Sequence, residues 1–469
     1  MASPTSNSVP YTIISMAGLS QQVQALLSGM KWGGGLGSGV ALTYSFPTSA
    51  AHSYWATSYS GDNEYTNMSV LDAVERSACQ QALTVWANSA NITFSKLSDN
   101  STTCGEIRFA ISDLGNSGFY AHAYYPGSSP DAGDVWFSSQ WNSDAMSSVA
   151  PGTYAFTTIL HELGHALGLK HPFEKPVTLD AAHDSFFYTI MSYDVKENTP
   201  VSSVSADFYP TTPQYYDLLA METLYGQSPS ANPGNTKYVF YGTQHYWQTI
   251  NDVSGHDTIF YKSSTGGRID LSNATFSQLG LPIHFSDGAV SYDTVALGPF
   301  TAIENATGGS GSDTIFGSDA HNVLNGGGGS DFIEGGKGAD RINGGTGRDS
   351  FVYAGAGDST GTKFDTVVAF DASQDVFDVW KAISAIDQRL HTGSLSLASF
   401  GHDLSHVLTA SRLGAHSAVL YTAAHGDQAG KLFLIVNPTG TAGYQVGQDA
   451  VILLDNAANL SHLSVHDFI

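Results

Sequence analysis

The chain has 469 residues, with 18 Lys plus Arg against 42 Asp plus Glu and a formal net charge of -24. That balance argues against nucleic acid and anionic membrane surfaces as partners and suits a protein that binds many cations. The length predicts two domains. No apolar run is long enough for a transmembrane helix, so membrane insertion is not expected. The first Lys or Arg is Lys31, so the N-terminus lacks the basic region of a secretory signal peptide. Either the protein stays inside the cell or it leaves by a route that does not read the N-terminus.

In chain order, residues 1–30 form an N-terminal segment that could serve as a propeptide, with an amphipathic helix around Leu19–Leu27 ending near Gly29. Gly33–Gly39 reads as a loop, and Val40–Phe46 alternates like a strand. Leu71–Asn88, which contains Trp86, has helical periodicity; Ile92–Leu97 and Glu106–Ile111 read as strands. Ala121–Gly127 reads as an edge strand, because Pro126 cannot pair on both sides. Asp134–Phe137 is another short strand. The two cysteines, Cys79 and Cys104, match no zinc motif. They could form one disulfide outside the cell or remain two separate buried thiols.

The next segment carries chemistry. Tyr154–Leu160 fits a buried helix and runs into His161-Glu162-Leu163-Gly164-His165-Ala166-Leu167-Gly168-Leu169-Lys170-His171, the pattern H-E-x-x-H-x-x-G-x-x-H. On a helix, residues i and i+4 share a face, so His161 and His165 can aim at one ion. Gly168 can take the left-handed conformation that ends a helix, and His171 then returns as third ligand, held extended by Pro172. Three protein ligands leave a position open for water or a substrate carbonyl, the catalytic arrangement for a single Zn2+. Glu162 projects beside the ion, where a general base takes a proton from a water whose pKa falls towards ~7. The bland alternative is a set of ordinary core or surface histidines. H-E-x-x-H alone does occur by chance, but Gly168, His171 and a later Met191-Ser192-Tyr193 make coincidence improbable. Met191 fits the Met-turn that packs beneath the metal in metzincins. Asp217–Gly226 reads as the last helix of this domain.

From about Tyr238, short strands with Gly and Asp turns take over. From Gly308 the chain repeats every nine residues: GGSGSDTIF, GSDAHNVLN, GGGGSDFIE, GGKGADRIN and GGTGRDSFV. This is the nonapeptide of calcium-binding parallel β-helices. Gly309, Gly311, Gly327, Gly329, Gly336, Gly338, Gly345 and Gly347 allow tight turns and present carbonyls. Asp313, Asn322, Asp331, Asp340 and Asp349 supply oxygen ligands for several Ca2+ ions. Ile315, Leu324, Ile333, Ile342 and Phe351 are the inward residues of short strands. The second unit is degraded at Ser318, Ala320 and Asn322, so its site is expected to be weak or empty. A flexible Gly-rich linker would not hold period, acid and apolar positions together over five units. Asp358, Asp365, Asp371, Asp375 and Asp378 read individually as solvated turn aspartates or further calcium ligands.

These motifs together resemble one family, the serralysins, with matching stretches from about Val40 to the C-terminus. The resemblance implies an α+β metzincin-type zinc protease domain over 31–230. It would be followed over 231–469 by an all-β parallel β-roll (RTX) domain carrying a C-terminal secretion signal. It implies a secreted, extracellular bacterial endopeptidase that binds polypeptides extended along the edge strand at Ala121–Tyr125. It further implies Tyr193 as a weak zinc ligand that swings to the oxyanion, export by type I secretion machinery, a monomer, and a small proteinaceous inhibitor as a potential partner. Two cysteines and a short His171–Met191 segment depart from the family pattern. Two other readings compete: a non-enzymatic RTX calcium-binding surface or adhesion protein with an inactive protease-like domain, and an RTX lipase or polysaccharide-degrading enzyme. Intact His161, Glu162, His165 and His171 oppose the first; the absence of a G-x-S-x-G elbow opposes a lipase.

Overall fold

A computed structural model describes residues 9–47, 59–60, 64–112, 120–139, 141, 148–197 and 204–469. The chain forms two compact units: Met1–Pro233 with His245–Ser254 and Pro282–Thr301, and Gly234–Gln244 with Gly255–Leu281 and Ala302–Ile469.

The first unit begins with β1 (Tyr11–Ile13), α1 (Gln21–Leu26) and β2 (Met30–Trp32). Ser20 caps α1, and β1 pairs antiparallel with β2. A mixed sheet follows, from β3 (Val40–Ser45), β4 (Met68–Ser69), β5 (Ile92–Lys96), β6 (Ile107–Ser112), β7 (Ala121–Ala123) and β8 (Val135–Ser138). Its order is β5-β3-β6-β8-β7, with β4 on β6; β7 is antiparallel to β8 and lies at the end of the order. The edge strand is shorter than the sequence predicts. Its ladder ends at Tyr124, which exchanges hydrogen bonds with Asp134 O (3.0 Å) and Gly133 N (3.1 Å) before Pro126.

Three helices carry the rest of this core: α2 (Ala73–Ser89), α3 (Tyr154–Ala166) and α4 (Tyr215–Tyr225). A capping box formed by Asp72 and Glu75 starts α2. Thr153 caps α3, whose side chains are buried on nearly every face, as a core helix requires. Aromatic side chains anchor α3 through their polar ends. Trp86 Nε1 donates to Leu160 O (3.1 Å), Trp32 Nε1 to Ala166 O (2.9 Å) and Tyr225 OH to Leu167 O (2.8 Å). The last two satisfy carbonyls that a helix C-terminus leaves without partners. Gly168 ends α3 at φ 111°, and a Cβ there would lie 2.4 Å from Met30 O, so only glycine fits. Cys79 and Cys104 are both buried and are not joined in a disulfide.

The second unit is built mainly of parallel strands in two sheets. Thr314–Phe316, Phe332–Glu334 and Ser350–Tyr353 pair in register in one; Asn305–Thr307, Val323–Gly328 and Arg341–Thr346 pair in the other. Alternate nonapeptides thus feed alternate sheets, and Ile315, Ile333 and Phe351 stack on one while Leu324 and Ile342 stack on the other. All five are at most 1 % exposed. Farther on, Ser417–Thr422, Leu432–Asn437 and Ala450–Asp455 pair antiparallel over a core that includes Phe433 and Ile435.

Candidate active site and repeat carboxylates

One helical turn separates His161 from His165 on α3, and the chain past Gly168 brings His171 back to them. His171 Nε2 lies 3.2 Å from His161 Nε2 and 3.0 Å from His165 Nε2. Ligand atoms of all three fall within 4.8 Å of one another, a grouping that could hold a metal ion. The opposite ring nitrogens are engaged: His161 Nδ1 with Ile190 O (2.7 Å), His165 Nδ1 with Leu169 O (2.8 Å) and His171 Nδ1 with Glu174 Oε1 (2.5 Å). A carbonyl only accepts, so the proton of His161 and His165 sits on Nδ1 and the Nε2 lone pair is free for a metal. Burial, and then the neighbouring His171, lower the His161 pKa to about 3. Burial and the two other imidazoles hold His165 well below its ordinary value. Neutral imidazoles are what metal ligation needs.

Glu162 is buried, and its Oε2 has no hydrogen-bond partner among the described residues. Burial pushes its pKa up to about 8. A buried, orphaned carboxylate oxygen is costly unless something occupies its vicinity. Three neutral nitrogen donors beside such a carboxylate match the donor set and open position of a catalytic zinc.

Met191 is fully buried beneath α3. A Cβ at Gly164 would lie 2.5 Å from Met191 Sδ, so the methionine can approach the helix only over a glycine. The turn's backbone is tied to α4: Asp217 accepts from Thr189 Oγ1 (2.6 Å), Ile190 N (2.8 Å) and Gln214 N (2.8 Å). Ile190 in turn holds His161, so α4 orients a candidate ligand at one remove. Tyr193 is 40 % exposed, with its ring centroid 4.6 Å from that of His171 and 5.8 Å from that of His161. Burial, then Glu162, raise its pKa to about 12.

Three contributors were not foreseen from sequence. Glu174 orients His171. Phe173 stacks on His171 with centroids 5.0 Å apart and rings 6° from parallel. Lys170 Nζ donates to Ala25 O (2.6 Å), Glu174 O (2.7 Å), Val177 O (3.1 Å) and His171 O (3.3 Å). That ammonium ties α1 to the loop bearing the third histidine. Only Glu174, three residues after His171, left a signal in sequence.

In the repeats Asp331 and Asp340 divide their two oxygens between tasks, whereas both oxygens of Asp313 accept backbone N–H groups, from Gly267 and Gly309. Asp331 Oδ1 accepts from Asp313 N (2.8 Å), Asp349 Oδ1 from Asp331 N (3.0 Å) and Asp340 Oδ1 from Asn322 N (2.8 Å). The other oxygens of Asp331 and Asp340, and Oδ2 of Asp365, are buried without a partner among the described residues. Burial raises Asp331 and Asp340 to about 7 and Asp365 to about 8. Such orphaned oxygens suit a hard cation. Asn322 differs: Oδ1 accepts from Ser318 N (2.7 Å) and Nδ2 donates to Glu304 O (2.9 Å), so protein groups satisfy it. Gly327, Gly329, Gly336, Gly338, Gly345 and Gly347 all adopt positive φ, whereas Gly309 and Gly311 do not. A Cβ at Gly345 would lie 2.0 Å from Gly327 O, so the stacked turns leave no room for a side chain there.

Comparison with known proteins agrees with this geometry. Residues 55–195 match the Matrixin family of M10 peptidases and residues 219–406 the Peptidase M10 serralysin C terminal family. The chain is 34% identical over 373 residues to Metalloprotease AprA of Pseudomonas entomophila (strain L48), covering 74% of this chain and 73% of that protein. It is 35% identical over 374 residues to Serralysin G of Dickeya chrysanthemi, covering 73% of each. It is 34% identical over 340 residues to Serralysin of Photorhabdus luminescens, covering 67% of each. With a metal-competent histidine triad formed by α3 and the loop after it, and serralysin relatives matched over most of its length, the chain belongs to the serralysin family and is a zinc metalloendopeptidase.

Proposed function

We propose that this protein is a secreted, calcium-dependent endopeptidase that cuts flexible extracellular polypeptides, with His161, His165 and His171 as zinc ligands and Glu162 as general base. The convergence of three Nε2 atoms, with the buried, unpartnered Oε2 of Glu162 one residue after the first of these histidines, carries this reading. Zinc, when bound there, supplies Lewis acidity and an acidified water. Glu162, raised by burial, is basic enough to accept a proton at Oε2 and acidic enough to pass it to the leaving amine near neutral pH. Tyr193 is within reach of the triad and would serve as a weak ligand that turns to donate its phenolic proton to the developing oxyanion. Met191 supports the site from below. A substrate strand would add to β7, which ends the sheet among the described residues and where main-chain groups would bind sequence-tolerantly.

In the second unit, Asp313, Asp331, Asp340 and Asp349, with carbonyls of Gly309, Gly311, Gly327, Gly329, Gly336, Gly338, Gly345 and Gly347, would hold calcium between the turns of a β-roll, and Asn322 would contribute weakly. Export by type I secretion machinery, which the likeness to serralysins suggests, belongs to the same reading. A monomer, regulated by a small protein inhibitor, completes the proposal. The non-enzymatic surface-protein alternative is opposed by the intact triad and Glu162.

Digestion of a peptide library tests the reading. The chain with zinc and calcium is expected to cleave within peptides, and a zinc chelator to abolish it. Cleavage that persists after zinc removal, or no cleavage at all, would contradict it.

A further inference from the structure

We propose that Phe173 is a specificity-determining residue: with Tyr193 it forms an apolar plate beside His171 that receives a large apolar side chain, best an aromatic one, from a substrate residue flanking the scissile bond. The inference rests on the endopeptidase reading and names its substrate class more closely.

Phe173 and Tyr193 are each 40 % exposed, and both rings touch the third histidine. Their own centroids are 5.1 Å apart, inclined by 54°. A phenylalanine that served only to shield His171 would be covered on its outer face; this one keeps a large apolar surface open at the metal-competent triad. Exposed aromatic surface beside a polar centre is where ligands gain contact area.

The plate is also held in place. Leu179 N donates to Pro172 O (2.9 Å), Glu174 N to His171 O (3.2 Å), and Lys170 binds the carbonyls of His171, Glu174 and Val177. An aromatic on a fixed loop loses little freedom when a ligand packs on it. The Glu174 side chain, 41 % exposed, stands one residue away and disfavours an acidic substrate side chain at the same position.

The test uses the full chain loaded with zinc and calcium, and matched peptides carrying Phe, Leu, Ala or Asp at each residue flanking one cleavage site. At one flank Phe is expected to exceed Ala about tenfold in kcat/KM, within the range an apolar pocket commonly gives, with Asp poorest. Phe173→Ala is expected to reduce that ratio to about twofold, mostly through KM, while Phe173→Tyr retains it. Zinc release to a chelating dye is expected to stay within about twofold of wild type in both variants, since the ligands' own hydrogen bonds remain. An unchanged ratio in Phe173→Ala overturns the inference, as does an equal loss on every peptide with faster zinc release. A wild-type chain that cleaves with no aromatic preference at either flank sinks this inference alone; one that cleaves nothing sinks the endopeptidase reading beneath it.

Discussion

Glu174 Oε1 sits 2.5 Å from His171 Nδ1 and fixes the ring of the one histidine of the triad that no helix holds. His161 and His165 ride on α3, and backbone carbonyls orient them. His171 lies on a loop, so its orientation depends on a side chain. Outer-sphere partners of this kind commonly contribute about 10–100-fold to metal affinity. Glu174→Gln is therefore expected to speed zinc release about tenfold, read by transfer to a chelating dye, with little change in melting of the metal-free chain. Equal release rates would show that the loop positions His171 without Glu174.

The two oxygens of Asp340 differ in their surroundings. Its Oδ1 accepts Asn322 N, while Oδ2 is buried without a partner among the described residues. Asp340→Asn can keep the first contact and cannot ligate through the second. The calcium concentration at half-folding, followed by circular dichroism, is expected to rise about tenfold, on the scale of losing one charged ligand. A midpoint that does not move would remove Asp340 from the calcium sites.

Glu222 on α4 is 6 % exposed, and neither carboxylate oxygen has a hydrogen-bond partner among the described residues. Burial raises its pKa from the ordinary 4.5 to about 8. The folded state thus holds a proton that the unfolded state releases. Below pH 4.5 both states are protonated and Glu222 costs nothing; between 4.5 and 8 the cost grows as pH rises; above 8 it is constant. Glu222→Gln removes that cost, so the variant is expected to match wild type near pH 4.5 and to be more stable at pH 8, by on the order of 4 kcal/mol. Melting temperatures at the two pH values decide it; a gap that is the same at both would mean that Glu222 is not protonated on folding.

The triad and its helix were legible because a helix converts sequence spacing into direction: His161 and His165 needed only the i, i+4 rule, and Gly168 needed only its freedom at positive φ. The nonapeptide was legible for a similar reason, since each unit repeats the same local turn. What surrounds these motifs was not legible. Ile190 O, Leu169 O and the carbonyls around Lys170 are backbone atoms that any residue supplies, and only tertiary folding gathers them. The edge strand stops short of Pro126 because its pairing with the chain before β8 ends where Tyr124 meets Asp134 O and Gly133 N. The two roles of the Asp331 and Asp340 carboxylates, one oxygen for a neighbouring turn and one left over, became visible only once turns were stacked. The same stacking explains why Asn322 is at home in its unit: both ends of its amide have protein partners.

Glu162→Gln tests the central claim most directly, because it keeps the shape of a buried side chain and removes only its capacity to take a proton. The variant is expected to retain one zinc per chain, with kcat/KM on a peptide substrate lowered about 10²–10⁴-fold, the usual contribution of a positioned base. Full zinc occupancy with undiminished cleavage would contradict the assignment of Glu162 as the base.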